Sequence, residues 1–382
     1  MTTRLTGPAC PVTRTESGDW LFTGYAEVLA ATQDVAAFRA NFRAPGVEVP
    51  PEEQFVNEIP EPRHGQVRKI INSAIASHRL TGVEPLCDEL CRRLLAGLRE
   101  HQGSEGVVDL VTEYVMPVPN SIIAHLLGAE PADYAKWASW SEEVVGGTYP
   151  SLYRNERGVG FAGAHPEFAA YIDAIIADRR AAPREDFVTR LITREVDGRR
   201  LTDVEARAQL VFLFISGNET TRHLLGNLLH RMASEPALFE ALAADRSLVE
   251  PAIEESLRVD PPVRLLMRTC SAATVVDGEQ IQQGEAVIFG VEQANRDVTR
   301  FEDPAAFRLD RPDIRRHLAF GGGPHVCPGA HLARMEARVA VNVLLDMASG
   351  LRVAPGHVYE NVAVSWAHGP QALPVTVDWR QE

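Results

Sequence analysis

Phe320-Gly-Gly-Gly-Pro-His-Val-Cys-Pro-Gly329 decides how the rest of this chain is read. An aromatic residue and a run of glycines lead to a lone cysteine, Cys327. The residues that follow, Ala330-His-Leu-Ala-Arg-Met-Glu-Ala-Arg-Val-Ala-Val341, carry a helical pattern. Glycine permits tight turns and lets backbone approach a flat ligand closely. A cysteine just before a helix meets unpaired N–H groups and the positive end of the helix dipole, which both favour the thiolate. Cys327 is thereby presented as a soft metal ligand. Taken singly it reads equally as a buried, inert thiol, since free cysteine is commonly buried. The string around it carries the argument.

Working outward, Val211-Phe-Leu-Phe-Ile215 is followed by Ser216-Gly-Asn-Glu-Thr-Thr221, a polar island inside an apolar helical pattern. Gly217 costs about 1 kcal/mol relative to alanine inside a helix, and a buried glutamate without a partner is expensive. Stability alone gives no reason for the cluster, although a packed helix kink would also produce it. Further on, Glu255-Ser-Leu-Arg258 is an i,i+3 acid–base pair, ordinarily a surface pair worth a few tenths of a kcal/mol. His64 and Arg68 share a helix face at i,i+4 and could hold an anion together. Without context they read as a solvated pair.

The Cys loop matches F-G-x-G-x-H-x-C-x-G through Phe320, Gly321, Gly323, His325, Cys327 and Gly329, and so resembles the haem-binding loop of the cytochrome P-450 family. The upstream motifs lie in that family's order, and the resemblance runs from about Trp20 to the C-terminus. It implies a mainly α fold with small peripheral β-sheets (α+β), residues 1–382 forming a single domain. The haem (heme b) would be sandwiched between the long central helix and the helix after the Cys loop. Thiolate ligation of haem iron, for which this family is the standard example, pushes electron density so as to favour O–O cleavage. Cys327 is implied as the axial ligand. The island resembles the oxygen-activation motif [A/G]-G-x-[D/E]-T, with Ser216 in place of the commoner Ala or Gly. Gly217 is implied to leave room for dioxygen, Thr220 to hydrogen-bond it, and Glu219 to relay protons from water. His64, Arg68, Arg268 and His325 are implied to grip the haem propionates, a sensible count of donors for two carboxylates. Glu255 and Arg258 resemble the buried ion pair that ties their helix to the Arg311 segment. Phe320 and Gly329 belong to the haem cradle.

The substrate pocket is implied to draw on Phe212, Ser216, Gly217, Arg264, Leu265, Leu266 and Trp366, with loops at Pro45–Pro62 and Gly147–Gly163 as its roof. Arg264 would select a carboxylate or carbonyl group, unless it points to solvent. Pro328 stands where the family more usually has Leu or Ile. It removes one N–H that could face the sulfur, and such bonds tune a metal's potential. The expectation is a stronger donor and a lower potential. By the resemblance, Gly7-Pro8 corresponds to a point well inside a typical soluble member of the family, so the family's first helix is expected to be shortened or absent.

The reaction implied is insertion of one oxygen atom of O2 into a small organic molecule, by hydroxylation or epoxidation, in bacterial secondary metabolism. Electrons would come from NAD(P)H through a separate reductase and a ferredoxin or flavodoxin docking near Arg68, Lys69, Arg334 and Arg338. Oxidative coupling or ring closure on the same scaffold is the alternative. A non-catalytic haem-binding partner of a biosynthetic assembly is the reading from another class, and product formation separates it from the first two.

Composition narrows the field. Asp and Glu number 52 against 38 Lys and Arg, a net charge of −14, which argues against general nucleic-acid binding. No apolar run approaches the roughly 20 residues a membrane helix needs, and the N-terminus has no cleavable apolar leader. A cytoplasmic protein is expected. Five cysteines, odd in number and irregularly spaced, argue against a disulfide framework. Cys87 and Cys91 could share a metal on one helix face, but no nearby residue completes the set. Helical periodicity dominates. Trp20–Thr23, Ala286–Phe289 and Leu373–Val377 read as short strands, and Val276-Asp-Gly-Glu279 as a hairpin turn. Thr202-Asp-Val-Glu205 predicts a capping box opening a helix to about Ser234.

Overall fold

That capping box forms. The Glu205 N–H donates to Thr202 Oγ1 at 3.2 Å and the Thr202 N–H to Glu205 Oε2 at 2.9 Å. The helix it opens runs Asp203–Ser234, 32 residues, or about 48 Å at 1.5 Å per residue. The computed structural model of the protein describes residues 10–40, 49–75, 82–102, 106–148 and 160–381. Parts of both anticipated roof loops, and Gly7-Pro8, lie outside them.

The chain divides into two compact units. One comprises residues 41–83 and 119–219, and an aromatic cluster sits within its largely aliphatic core. Trp140 stacks on Phe168 with ring centroids 4.8 Å apart, and Trp137 meets Phe214 edge-on at 4.9 Å. Aromatic pairs at such offsets contribute beyond the area they bury. Helix Arg63–Ala74 adds Val67, Ile70 and Ile71 to this core, an i,i+3,i+4 stripe fully shielded from water.

The other unit comprises residues 1–40, 84–118 and 220–382. It holds a five-stranded sheet in the spatial order Val12–Arg14, Trp20–Phe22, Ala286–Gly290, Leu265–Cys270, Phe38–Ala40. All pairings are antiparallel except Trp20–Phe22 with Ala286–Gly290. Phe22, Phe38 and Phe289 pack together, all three buried. A three-stranded sheet orders Val108–Asp109, Pro374–Trp379, Ala348–Val353, and a two-stranded hairpin joins Thr274–Val276 to Glu279–Ile281. The hairpin turns at Asp277 and Gly278, both at positive φ, as a two-residue Asp-Gly turn requires. The mainly helical architecture with small sheets agrees with the reading of the sequence. Strands Val12–Arg14, Phe38–Ala40 and Leu265–Cys270 were not predicted from it.

Candidate active site

The glycine run before Cys327 is shaped by both conformation and crowding. Gly321 and Gly323 have φ of +70° and +60°, where L side chains are strained. A Cβ at Gly323 would also run into the carbonyl of Thr32, in helix Tyr25–Gln33. The loop closes on itself, the Cys327 N–H donating to the Phe320 carbonyl at 2.8 Å and the Val326 N–H to Gly323 O at 3.1 Å. Gly329 then caps helix Ala330–Met347. Cys327 is half-buried at that helix's N-terminus, and carries no disulfide.

Two layers of charge support the loop. Glu255 is fully buried and accepts from Arg258 Nε at 2.9 Å and Nη2 at 2.8 Å, and from Arg311 Nε at 3.0 Å. The remaining Arg258 donors reach the carbonyls of Asn295, Pro304 and Ala306, and Arg311 reaches those of Glu302, Asp303 and Ala306. Burial opposes the Glu255 carboxylate, but the Arg258 bonds outweigh it and hold its pKa below the usual range. Next to it on helix Val249–Val259, Glu254 binds Arg334 through both oxygens, at 2.5 and 2.9 Å, and His317 Nε2 at 3.1 Å. Again burial is overcome by these hydrogen bonds, and the Glu254 pKa falls to about 2. Arg334 in turn lies 4.4 Å above the Phe320 ring, a cation–π contact that fixes the first residue of the Cys loop.

Arg268 is different. It lies on strand Leu265–Cys270, donates to the Met267 carbonyl at 2.8 Å, and sits 5.3 Å over the Phe289 ring. Burial lowers its pKa to about 10, and among the described residues no carboxylate answers its charge.

Segments 262–266 and 366–368 run side by side, with Arg264 N–H on the Trp366 carbonyl and His368 N–H on that of Pro262. Arg264, Leu265, Leu266 and Trp366 are thus brought together. The Arg264 guanidinium is already matched, however, by Glu292 at 2.7 Å, which also binds Arg296. It offers no unbalanced charge to a substrate anion.

In the unit of residues 41–83 and 119–219, helix Arg63–Ala74 carries His64 and Arg68. His64 is buried, with Nδ1 2.8 Å from Glu61 Oε1, and Lys69 on the same helix is exposed. On the long helix, Ser216 bonds back to the Phe212 carbonyl at 2.7 Å, and Phe212 packs on Phe55 at 5.1 Å between rings. Asn218 reaches Ser141 Oγ at 2.9 Å. A Cβ on Gly217 would lie 3.2 Å from Ile123 Cδ1, so the glycine permits close packing there. Glu219 is buried and Thr220 half-buried. The helix remains regular through the island.

The basic cluster around the Cys loop is largely answered within the protein. Arg315 pairs with Glu250, Arg316 with Asp313, Arg334 with Glu254 and Arg338 with Glu84. Glu336, between Arg334 and Arg338 in sequence, is buried, and burial followed by the neighbouring Cys91 raises its pKa well above the usual range. It therefore holds its proton and is no counter-charge. Cys87 and Cys91 are both buried in the core as free thiols. Among the described residues no group of three ligands is placed to hold a metal ion, and no helix is long and apolar enough to cross a membrane.

The sequence pattern of the family described as cytochrome P-450 matches residues 150–347. The erythromycin C-12 hydroxylase of Saccharopolyspora erythraea is 34% identical over 88% of this chain and 83% of its own length. The chain is a cytochrome P-450. The steroid C26-monooxygenase of Mycolicibacterium smegmatis is 31% identical, over 96% of this chain and 89% of its own. The solved structure of the histidine-tagged, open cytochrome P-450 Eryk from S. erythraea superimposes with a TM-score of 0.85 at 33% identity, covering 97% of this chain and 93% of that one. This cytochrome P-450 is accordingly a monooxygenase, and its family's prosthetic group is haem. The residues present fit that group. Cys327 offers a thiol at a helix N-terminus, and Arg268 is a half-buried guanidinium without a carboxylate among the described residues, suited to a propionate. His223 carries no motif in the sequence and was not singled out there as functional.

Proposed function

We propose that this cytochrome P-450 hydroxylates or epoxidises a large aliphatic ring system, macrolactone or steroid in size, in natural-product metabolism. The observation that carries the reading is the pairing of Cys327, offered at the head of helix Ala330–Met347, with the uncompensated cation Arg268. Support for the substrate class comes from relatives named for erythromycin C-12 and steroid C26 oxidation, both at carbons of large, mostly aliphatic molecules.

In this reading residues 1–382 act as one catalytic domain, and Cys327 is the ligand that makes the bound haem an oxygen-activating group. Arg268 and His325, with His64 and Arg68 by the family resemblance, hold the propionates; Phe320 and Gly329 shape the cradle. Thr220 donates a hydrogen bond toward the reacting oxygen and Glu219 passes it protons. A carboxylate and a hydroxyl on consecutive helix residues can hold and hand on a proton without a large movement. Phe212, Ser216, Gly217, Leu265, Leu266 and Trp366 line the substrate space. Arg264 serves there as a hydrogen-bond donor fixed by Glu292 rather than as a free charge.

Electrons reach the protein from NAD(P)H through a reductase and a ferredoxin or flavodoxin in the cytoplasm. Arg68, Lys69, Arg334 and Arg338 form the docking face. Exposed ion pairs contribute about 0–1 kcal/mol, so Arg338 can exchange Glu84 for a carboxylate of the carrier, whereas Arg334 is held by buried Glu254. Pro328 keeps the potential low, and Pro328→Leu raises it; an unmoved potential refutes that role.

An optical titration of the haem-loaded protein with a macrolactone and a steroid series tests the substrate class. A saturable shift of the Soret band to the high-spin position with either series supports the reading. A thiolate-type spectrum with no shift for any member removes both substrate classes. Absence of a thiolate-type spectrum refutes Cys327 as ligand.

A further inference from the structure

Beside the C-terminal part of the long helix lies a polar cavity of about 230 Å³, lined by Asn227, His230, Ser234, Asp260, Tyr359 and His368 among others. Its walls are tied down. Asn227 Nδ2 donates to the carbonyls of Asp260 and His368 at 3.0 and 2.9 Å, and Arg231 binds Asp260 and Glu235 at 2.9 and 2.8 Å. The His230 and Tyr359 rings stand 4.7 Å apart. His368 Nδ1 is buried and has no hydrogen-bond partner in the protein. A polar cavity of this size, with such an atom in its wall, has room and reason for several waters.

His368 lines the cavity, and the chain leads from it to a second histidine. The next residue, Gly369, lies so close to the His223 imidazole that a Cβ there would collide with Nδ1. Gly369 has no positive φ, so its use here is close approach rather than turning. His223 is itself buried and follows Thr220 by three residues on the same helix, which sets the two side chains one turn apart on one face. Burial first, and then the charges of Arg222 and His368, depress the His223 pKa to about 3, so its imidazole is neutral. A neutral imidazole has one donor and one acceptor nitrogen. It can accept a proton on one while releasing another from the other.

We propose that the cavity is a water-filled proton inlet, and that His368 and His223 carry protons from it along the long helix to Thr220. Monooxygenation consumes two protons per turnover: RH + O2 + 2 e⁻ + 2 H⁺ → ROH + H2O. Each relayed proton enters an imidazole at one nitrogen as another leaves from the second, so the histidines end uncharged and the proton is drawn from solvent. This inlet is separate from Glu219 and rests on the reading of Thr220 as the proton-delivering hydroxyl.

The test uses the haem-loaded protein with a surrogate ferredoxin–reductase pair and NADPH, without substrate. Oxygen then goes to hydrogen peroxide (O2 + 2 e⁻ + 2 H⁺) or to water (O2 + 4 e⁻ + 4 H⁺), and the water-forming rate is compared in H2O and D2O. His223→Gln keeps hydrogen-bonding capacity but cannot relay, and Gly369→Ala displaces the imidazole without removing a titratable group. Both are expected to lower the water-forming rate about ten-fold, at the modest end of what proton transfer contributes, and to enlarge the solvent isotope effect. Unfolding temperature and the absorption spectrum of the carbon monoxide complex should stay unchanged. Thr220→Ala is the reference. If it changes the rate and the two relay variants do not, the inlet is refuted while the role of Thr220 stands. If Thr220→Ala changes nothing, both fall. A high-resolution crystal structure of the haem-loaded protein gives a readout free of turnover. Ordered waters bonded to His368 Nδ1 support the inlet, and a dry cavity overturns it.

Discussion

Two groups of cations in the same unit are handled in opposite ways. Beneath the Cys loop the carboxylates are closed on protein: Glu255 with Arg258 and Arg311, Glu254 with Arg334 and the His317 imidazole. On the sheet, Arg268 has only a backbone carbonyl and an aromatic face among the described residues. A closed set spends its electrostatics on fixing the geometry of its own chain, whereas an open one reserves them for something that arrives. The difference separates scaffold from binding site without reference to any motif.

The comparison breaks most visibly at Glu255. Removing one partner of a buried ion pair typically costs about 3–5 kcal/mol because it strands the others, and Glu255→Ala strands two arginines. Chemical denaturation should show a loss of that size, and a change under about 1 kcal/mol would mean the triad is not closed.

Glu254 sharpens the same point through pH. Its folded pKa of about 2 lies below the ordinary 4.5. Its contribution is therefore complete above about pH 4.5 and disappears as pH falls toward 2. A shift of that size corresponds to on the order of 3 kcal/mol. Glu254→Gln should remove that amount at pH 7 and flatten the acid limb of the stability curve between those two pH values. An acid limb as steep as in the parent protein would assign the pH dependence elsewhere.

Arg268 gives the smallest change in folding and so completes the contrast. Removing a half-buried cation that faces no carboxylate among the described residues strands no charged partner. Arg268→Met should thus move the stability of the haem-free protein by no more than about 1 kcal/mol while weakening haem retention, measured by transfer to apomyoglobin. Equal loss in the haem-free and haem-loaded forms would make Arg268 a structural residue like Arg258.

What the sequence made legible follows the range of the interactions involved. The capping box, the long helix and the Asp-Gly hairpin rest on contacts within a few residues, and they appear where their signals lie. The strand Leu265–Cys270 could not be read that way, because its identity depends on Ala286–Gly290 and Phe38–Ala40 coming to its sides. The pairing of Arg264 with Glu292 likewise spans 28 residues and turned an apparent free cation into a neutralised one. The burial of Glu336 is likewise not legible locally, because the sequence of helix Ala330–Met347 does not announce which face is covered. His223 and His368 stand 145 residues apart in sequence and meet only through Gly369, a glycine that no local turn requires.

The exposure of the five cysteines has a practical consequence for preparing this protein. Cys87, Cys91 and Cys270 are buried, Cys10 is exposed and Cys327 is half-buried. Alkylation under native conditions should therefore add two adducts to haem-free protein but one to haem-loaded protein, where the iron covers the second sulfur. Intact mass after a brief treatment then counts the fraction of molecules carrying the prosthetic group, independently of any absorbance, and blocks the empty ones from being loaded later.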